Sequence, residues 1–174
     1  MIRTELLKEV NFFKGFKPED LELLKGICEK KKVGASHTVF REGEKAGSMF
    51  LVELGSVRII KNIEDVVIFA RGDIFGEVPF FDNGLRQGTA VALEDSHLVE
   101  IPYRDLTRLL EHHPSMAVGF YSAAARFTSK KLRFYIDRLS HVQEIAHSQR
   151  HHQGSLLGNG QESSQAHPLP GSLK

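Results

Sequence analysis

The sequence predicts a mainly β fold with flanking helices, its strands arranged as a β-barrel or jelly roll. Between Val33 and Ile101 short apolar stretches recur: "HTVF", "SMFLVEL", "SVRIIK", "DVVIFA" and "HLVEIP". Turn signals separate them, in "EGEKAGS", "LGS", "NIED", "RGD" and "DNG", which favours many short strands over alternating strand and helix. Helical periodicity is concentrated at the two ends of the chain.

At the first end, Leu6, Leu7 and Val10 share one helical face, and Pro18 suits the first turn of a second helix carrying Leu21, Leu23, Leu24 and Ile27. The run "EKKK" at 29–32 reads as a solvated helix end, where cations suit the carbonyl terminus; a basic binding patch is the sharper alternative. In the middle, "RIIK" and "VVIF" joined by "NIED" read as a hairpin. Helix returns at Tyr103, with Leu106, Leu109 and Leu110 on one face and Pro114 at the end. A long proline-free helix follows. Ala125, Leu132, Leu139 and Ala146 fall at one heptad position, and Thr128, Tyr135 and Val142 at the other. Its first half is expected to pack on its own barrel and its second half on a partner helix, that of a second copy. Beyond about Ser148 the Gly, Ser, Gln and Pro content cannot support a core, which predicts a disordered tail. The expected organisation is an N-terminal helical segment at 1–32, a β region at 33–102, C-terminal helices at 103–148 and the tail at 149–174.

Composition narrows the function classes. A length of 174 residues suits one domain with an appendage, and 41% hydrophobic with 26% charged residues is ordinary for a globular protein. Lys and Arg number 23 against 22 Asp and Glu, so nothing demands nucleic acid or an anionic membrane as partner. The single Cys28 excludes a disulfide framework and a four-cysteine metal site within one chain. Apolar runs fall short of the roughly 20 residues of a membrane span, and "MIRTELLKEVNFF" lacks the pattern of a secretory signal, so a cytoplasmic location is expected. The nine histidines do not group as metal ligands; His141 and His147, six apart, do not share a helix face. Nor does a Ser, Cys or Thr sit in a recognisable nucleophile elbow, so catalytic residues are not expected.

The stretch with the most chemistry is "DIFGEVPFFDNGLRQGTA", Asp73 to Ala90. Gly76 permits a tight turn and close approach to bare backbone. Val78 to Phe81 can make one helical turn with Pro79 in its first positions, and the free N–H groups at such a start attract an anion. Arg86, after the "DNGL" turn, brings a fork suited to phosphate oxygens. Glu77 would repel phosphate, and makes sense beside a ligand that also carries a hydroxyl donor, such as a sugar 2′-hydroxyl. Phosphate plus ribose hydroxyl describes a nucleotide. The competing reading is that Glu77 and Arg86 pair with each other or with neighbours.

These residues carry a resemblance. "FGEVPFFDNGLRQGTAVA" resembles the phosphate-binding cassette, here at 75–90, of the cyclic nucleotide-binding domain family, which includes the protein kinase A regulatory subunit and the bacterial catabolite activator. "FREGEKAGSMFLVELGSVRI", with Gly43 and Gly55 at turns, is similar to the strands that precede that cassette. The resemblance covers about residues 5–140 and implies an eight-stranded β jelly roll (a cupin-like barrel), N-terminal helices and a long C-terminal helix. It implies that Glu77 accepts the ribose 2′-hydroxyl and that Arg86 pairs with the cyclic phosphate. Backbone groups around Gly76, Glu77 and Gln87 would complete the cradle. Phe75, Val78 and Thr89 belong to the expected ligand-binding set, and Thr128 and Ser129 are possible base contacts from the long helix. Two residues depart from the family pattern. Leu85 replaces a usual proline, and Pro79 stands where a backbone N–H usually donates to the phosphate.

Two functions follow as expectations. The first is a non-enzymatic regulatory or sensor domain that binds cAMP or cGMP, without cofactor or metal, and signals through its C-terminal helix to a homodimer partner or another protein. The second is a ligand-free jelly-roll scaffold for protein–protein interaction.

Overall fold

A computed structural model describes residues 2–62, 64–133 and 136. The expected heptad residues Tyr135, Leu139, Val142 and Ala146, and the expected tail at 149–174, lie outside the described residues. The chain divides into two compact units, Met1–Phe127 and Thr128–Lys174.

In the first unit, helices α1 (Thr4–Glu9) and α2 (Pro18–Ile27) flank a short 3-10 turn at Asn11–Phe13. Pro18 occupies the first turn of α2; of the four apolar residues expected to follow it, Leu21 and Leu24 are buried, Ile27 is half-buried and Leu23 is exposed. Eight strands follow: β1 (Glu29–Val33), β2 (Thr38–Phe40), β3 (Ser48–Leu54), β4 (Val57–Lys61), β5 (Glu64–Phe69), β6 (Ile74–Phe75), β7 (Thr89–Ala92) and β8 (Ser96–Pro102). Helix α3 (Val78–Asp82) lies between β6 and β7, α4 (Tyr103–His112) follows β8, and α5 begins at 114 and continues to 133.

The expected closed eight-stranded jelly-roll barrel is not what forms. The strands make two separate four-stranded antiparallel sheets, ordered β1-β8-β3-β6 and β2-β7-β4-β5, in a mixed α/β fold. Each sheet keeps its own edges: β6 pairs with β3 through only two residues, and a register shift interrupts β2 against β7. Edges this short and bent do not provide a ladder to close a barrel. The hairpin expected from "RIIK" and "VVIF" is present as β4 against β5.

Burial explains the layering. The run Ser48–Val52 is buried on both faces, which is why it reads as a continuous apolar stretch instead of alternating. Met49 and Leu51 join a core built with Leu7, Phe12, Leu24, Leu106, Met116 and Phe120 from the helices. Phe50 and Val52 join a second core with Val57, Phe69, Ala90 and Ala92 from the other sheet. Three layers result, helices on one sheet and that sheet on the second.

The "EKKK" run is a correction. It is not a helix end but the edge strand β1, paired with β8. Lys30 pairs with Glu53 at 3.1 Å and Lys31 with Glu100 at 3.5 Å, while Lys31 also lies 5.3 Å from the centre of the Phe50 ring. Lysines on an edge strand discourage pairing with other chains, so charge density here marks a sheet edge.

Candidate functional site

After β6 ends at Phe75, Gly76 turns the chain with φ +73°, and Glu77 leads into α3. The backbone angle favours glycine, and a β-carbon there would lie 2.7 Å from Arg86 Nη1 and displace the guanidinium. Pro79 sits in the first turn of α3, as expected, and Asn83, with φ +54°, ends it. The chain then meets the loop before β3. Lys45 and Leu85 form an antiparallel bridge, the Arg86 N–H donates to the Glu44 carbonyl at 2.9 Å, and the Gly43 N–H donates to the Arg86 carbonyl at 2.9 Å. The "EGEK" turn therefore fixes where Arg86 stands.

Arg86 is 5% exposed. Its Nη1 donates to the Gly76 carbonyl at 2.8 Å and its Nη2 to the Ser48 carbonyl at 2.6 Å. The guanidinium carbon lies 4.0 Å from the centre of the Phe40 ring, a cation–π stack. Nε is buried with no hydrogen-bond partner among the described residues. Burial pulls the arginine below its ordinary pKa, against the opposing influence of the Tyr103 hydroxyl, Glu100 and Glu44. Tyr103, the first residue of α4, donates its hydroxyl to the same Gly76 carbonyl and its N–H to the Gly47 carbonyl at 2.8 Å. Burial pushes the phenol up to about 12, and the Glu77 charge adds to that rise while Arg86 opposes it.

Glu77 is 6% exposed, as deeply placed as Arg86. The structure thus brings Gly76 and Arg86 together and buries Glu77, the residue after Gly76, within the first unit. Phe75 is fully buried, its ring 5.4 Å from Phe50 and 5.5 Å from Phe69, so it belongs to the aromatic stack between the sheets. Val78 and Gln87 are exposed. Thr89 is half-buried and its hydroxyl accepts the Glu42 N–H at 3.0 Å. Thr128 and Ser129 are exposed and open the second unit. Sequence reasoning missed Tyr103, Ser48 and Phe40 as neighbours of the arginine. Ser48 acts through its carbonyl, which no side-chain pattern reveals. Tyr103 and Phe40 look like ordinary helix and strand residues.

The cassette also touches the helices. Phe80 lies 5.2 Å from the Tyr103 ring and 5.8 Å from Phe120 of α5, and Phe81 stacks on Phe120 at 6.1 Å. A groove of about 430 Å³ runs past Lys45, Pro79, Phe80, Leu85, Tyr103 and Tyr121; Glu77 and Arg86 do not line it. Among the described residues no group of three His, Cys, Asp or Glu is placed to hold a metal ion. No helix among them is long and apolar enough to cross a membrane.

Residues 30–113 match the family model described as the cyclic nucleotide-binding domain. This stretch, just under half of the chain, is similar to that family. It is 26% identical over 125 residues to the cyclic AMP receptor protein of Thermus thermophilus, an alignment covering 69% of this chain and 58% of the receptor. The crystal structure of the Thermus thermophilus catabolite activator protein superposes with a TM-score of 0.62 at 25% identity, covering 75% of this chain and 63% of that one. A cyclic nucleotide-binding domain from Methylobacillus flagellatus matches in fold with a TM-score of 0.70 at 20% identity, covering 78% and 79%. The chain spans somewhat over half the length of the curated receptor it matches. The family-model match falls on the strands, the turn around α3 and α4, where Arg86 and Glu77 are buried.

Proposed function

We propose that this chain is a cyclic mononucleotide-binding regulatory domain, with cAMP or cGMP as ligand, and that it has no catalytic role of its own. One observation carries the reading: Arg86 is a buried cation bonded to two neutral carbonyls, with a further buried donor, Nε, lacking a partner among the described residues. Neutral acceptors compensate a buried charge poorly, and an unpaired buried N–H is costly. A phosphate oxygen would answer both. Arg86 would exchange its carbonyls for the cyclic phosphate, Glu77 would accept the ribose hydroxyl, and Val78, Gln87 and Thr89 would border the ligand. The similarity to a cyclic AMP receptor protein and the ring contacts of Phe80 and Phe81 with Phe120 support an output through α5; its proposed target is a second copy or another protein, and its proposed location the cytoplasm. Neither nucleic acid nor membrane is part of the proposal.

A second reading is a ligand-free scaffold for protein interaction. It is favoured by Phe40, Phe50 and Phe75, whose rings lie 5.4–6.0 Å apart beside the arginine, and by Pro79, which has no N–H to offer. Isothermal titration of the full chain with cAMP and with cGMP separates the two. Binding that is lost in Arg86→Ala supports the sensor; no heat with either nucleotide at high micromolar concentration supports the scaffold.

A further inference from the structure

Arg86 and Tyr103 fasten the same two pieces of backbone. Arg86 donates to the carbonyls of Gly76 and Ser48, and Tyr103 donates to the carbonyls of Gly76 and Gly47. One piece is the cassette turn and the other is the start of β3. The Gly76 carbonyl is the shared acceptor, with both lone pairs engaged. We propose that Tyr103 is a positioning residue for the cassette, holding the Gly76 carbonyl so that Arg86 can leave it for an anion, and tying that exchange to the first turn of α4.

The donors at the Gly76 carbonyl decide the matter. When the guanidinium turns to a ligand, the Gly76 carbonyl loses a donor in a buried setting. With the Tyr103 hydroxyl in place it keeps one, and the cassette turn stays where it was. Without that hydroxyl the carbonyl would be left with none, a penalty charged to the ligand-bound state. The tyrosine therefore affects ligand affinity without touching ligand. Its ring lies 5.2 Å from Phe80 of the cassette helix, and its N–H anchors α4 to Gly47. Movement of the cassette turn is thus delivered at the residue where α4 begins.

The ligand part of this inference rests on the proposed binding function; the shared-acceptor part does not. The test uses the full chain and has two arms. In the first, Tyr103→Phe is titrated with cAMP and cGMP, and binding about tenfold weaker than in the unsubstituted chain is expected. Equal affinity overturns the proposal. In the second, without ligand, melting temperatures are compared for Tyr103→Phe, Arg86→Met and the double variant, with Arg86→Leu in place of Arg86→Met if that variant does not fold. A double variant that loses more than the sum of the singles is expected, because only then does the Gly76 carbonyl lose every donor. Additive losses overturn the shared acceptor. If the unsubstituted chain binds neither nucleotide, the proposed function fails by itself and the melting cycle decides the role of Tyr103.

Discussion

Gly76 and Arg86 fit against each other with no room for a methyl group. The Gly76 carbonyl receives Arg86 Nη1 at 2.8 Å, and a β-carbon on Gly76 would stand 2.7 Å from that nitrogen. The glycine also holds φ at +73°, where a β-carbon is strained whatever the space. Gly76→Ala is therefore expected to cost about 1–3 kcal/mol from the backbone alone. It should also push the guanidinium out of register and, under the nucleotide-binding reading, abolish binding. Urea denaturation and titration calorimetry measure the two effects; unchanged stability would mean the turn relaxes more easily than this packing allows.

Arg86 is as much a part of the ligand-free structure as of any ligand site. Truncating it to alanine takes the donor from the Ser48 carbonyl and the cation from the Phe40 face. The expected destabilisation of the ligand-free chain is about 1–3 kcal/mol, the cost of a buried acceptor left unpaired. A side chain merely waiting for ligand would change stability by less than about 0.5 kcal/mol. A thermal melt without nucleotide distinguishes the two.

The parts of this arrangement that the sequence makes legible are those carried by side-chain type and spacing. The helix at Pro18, the hairpin of β4 and β5 and the turn before α3 all follow from local rules. What escapes is non-local. Closure of the sheets depends on how far β6 and β2 can pair at their edges, and a two-residue strand does not announce its length beforehand. The lysines of β1 mimic a helix end because a sheet edge and a helix terminus both tolerate cations. The partners of Arg86 are main-chain carbonyls of residues 76 and 48, and every residue has a carbonyl.

Alkaline pH offers a probe of Tyr103. A free tyrosine titrates near 10, whereas burial raises this one to about 12. The fold favours the protonated phenol, so its contribution to stability is complete below about pH 10 and is lost as pH rises from there through 12. The unsubstituted chain is therefore expected to lose more stability than Tyr103→Phe between pH 9 and about 11.5. Cys28, also raised to about 12 by burial, contributes in the same direction to both chains and cancels in the comparison. Parallel stability curves would show that the phenol is not held as described.

Pro79 sets the strength of the site under the nucleotide-binding reading. It is buried in the first turn of α3, beside Glu77, and withholds a backbone N–H where the anion is proposed to sit. A hydrogen bond to a charged group is worth about 1.5–3 kcal/mol, which converts to roughly 10- to 150-fold in affinity. Pro79→Ala restores the donor without adding bulk, and should tighten cAMP or cGMP binding within that range. The same substitution frees the unfolded chain at this position and is expected to lower stability by about 0.4–1 kcal/mol. Affinity and stability are thus predicted to move in opposite directions, which a gain in folding alone would not produce. Calorimetric titration paired with a melt of the ligand-free variant reads both, and an affinity that stays level while stability drops would place the anion away from the start of α3.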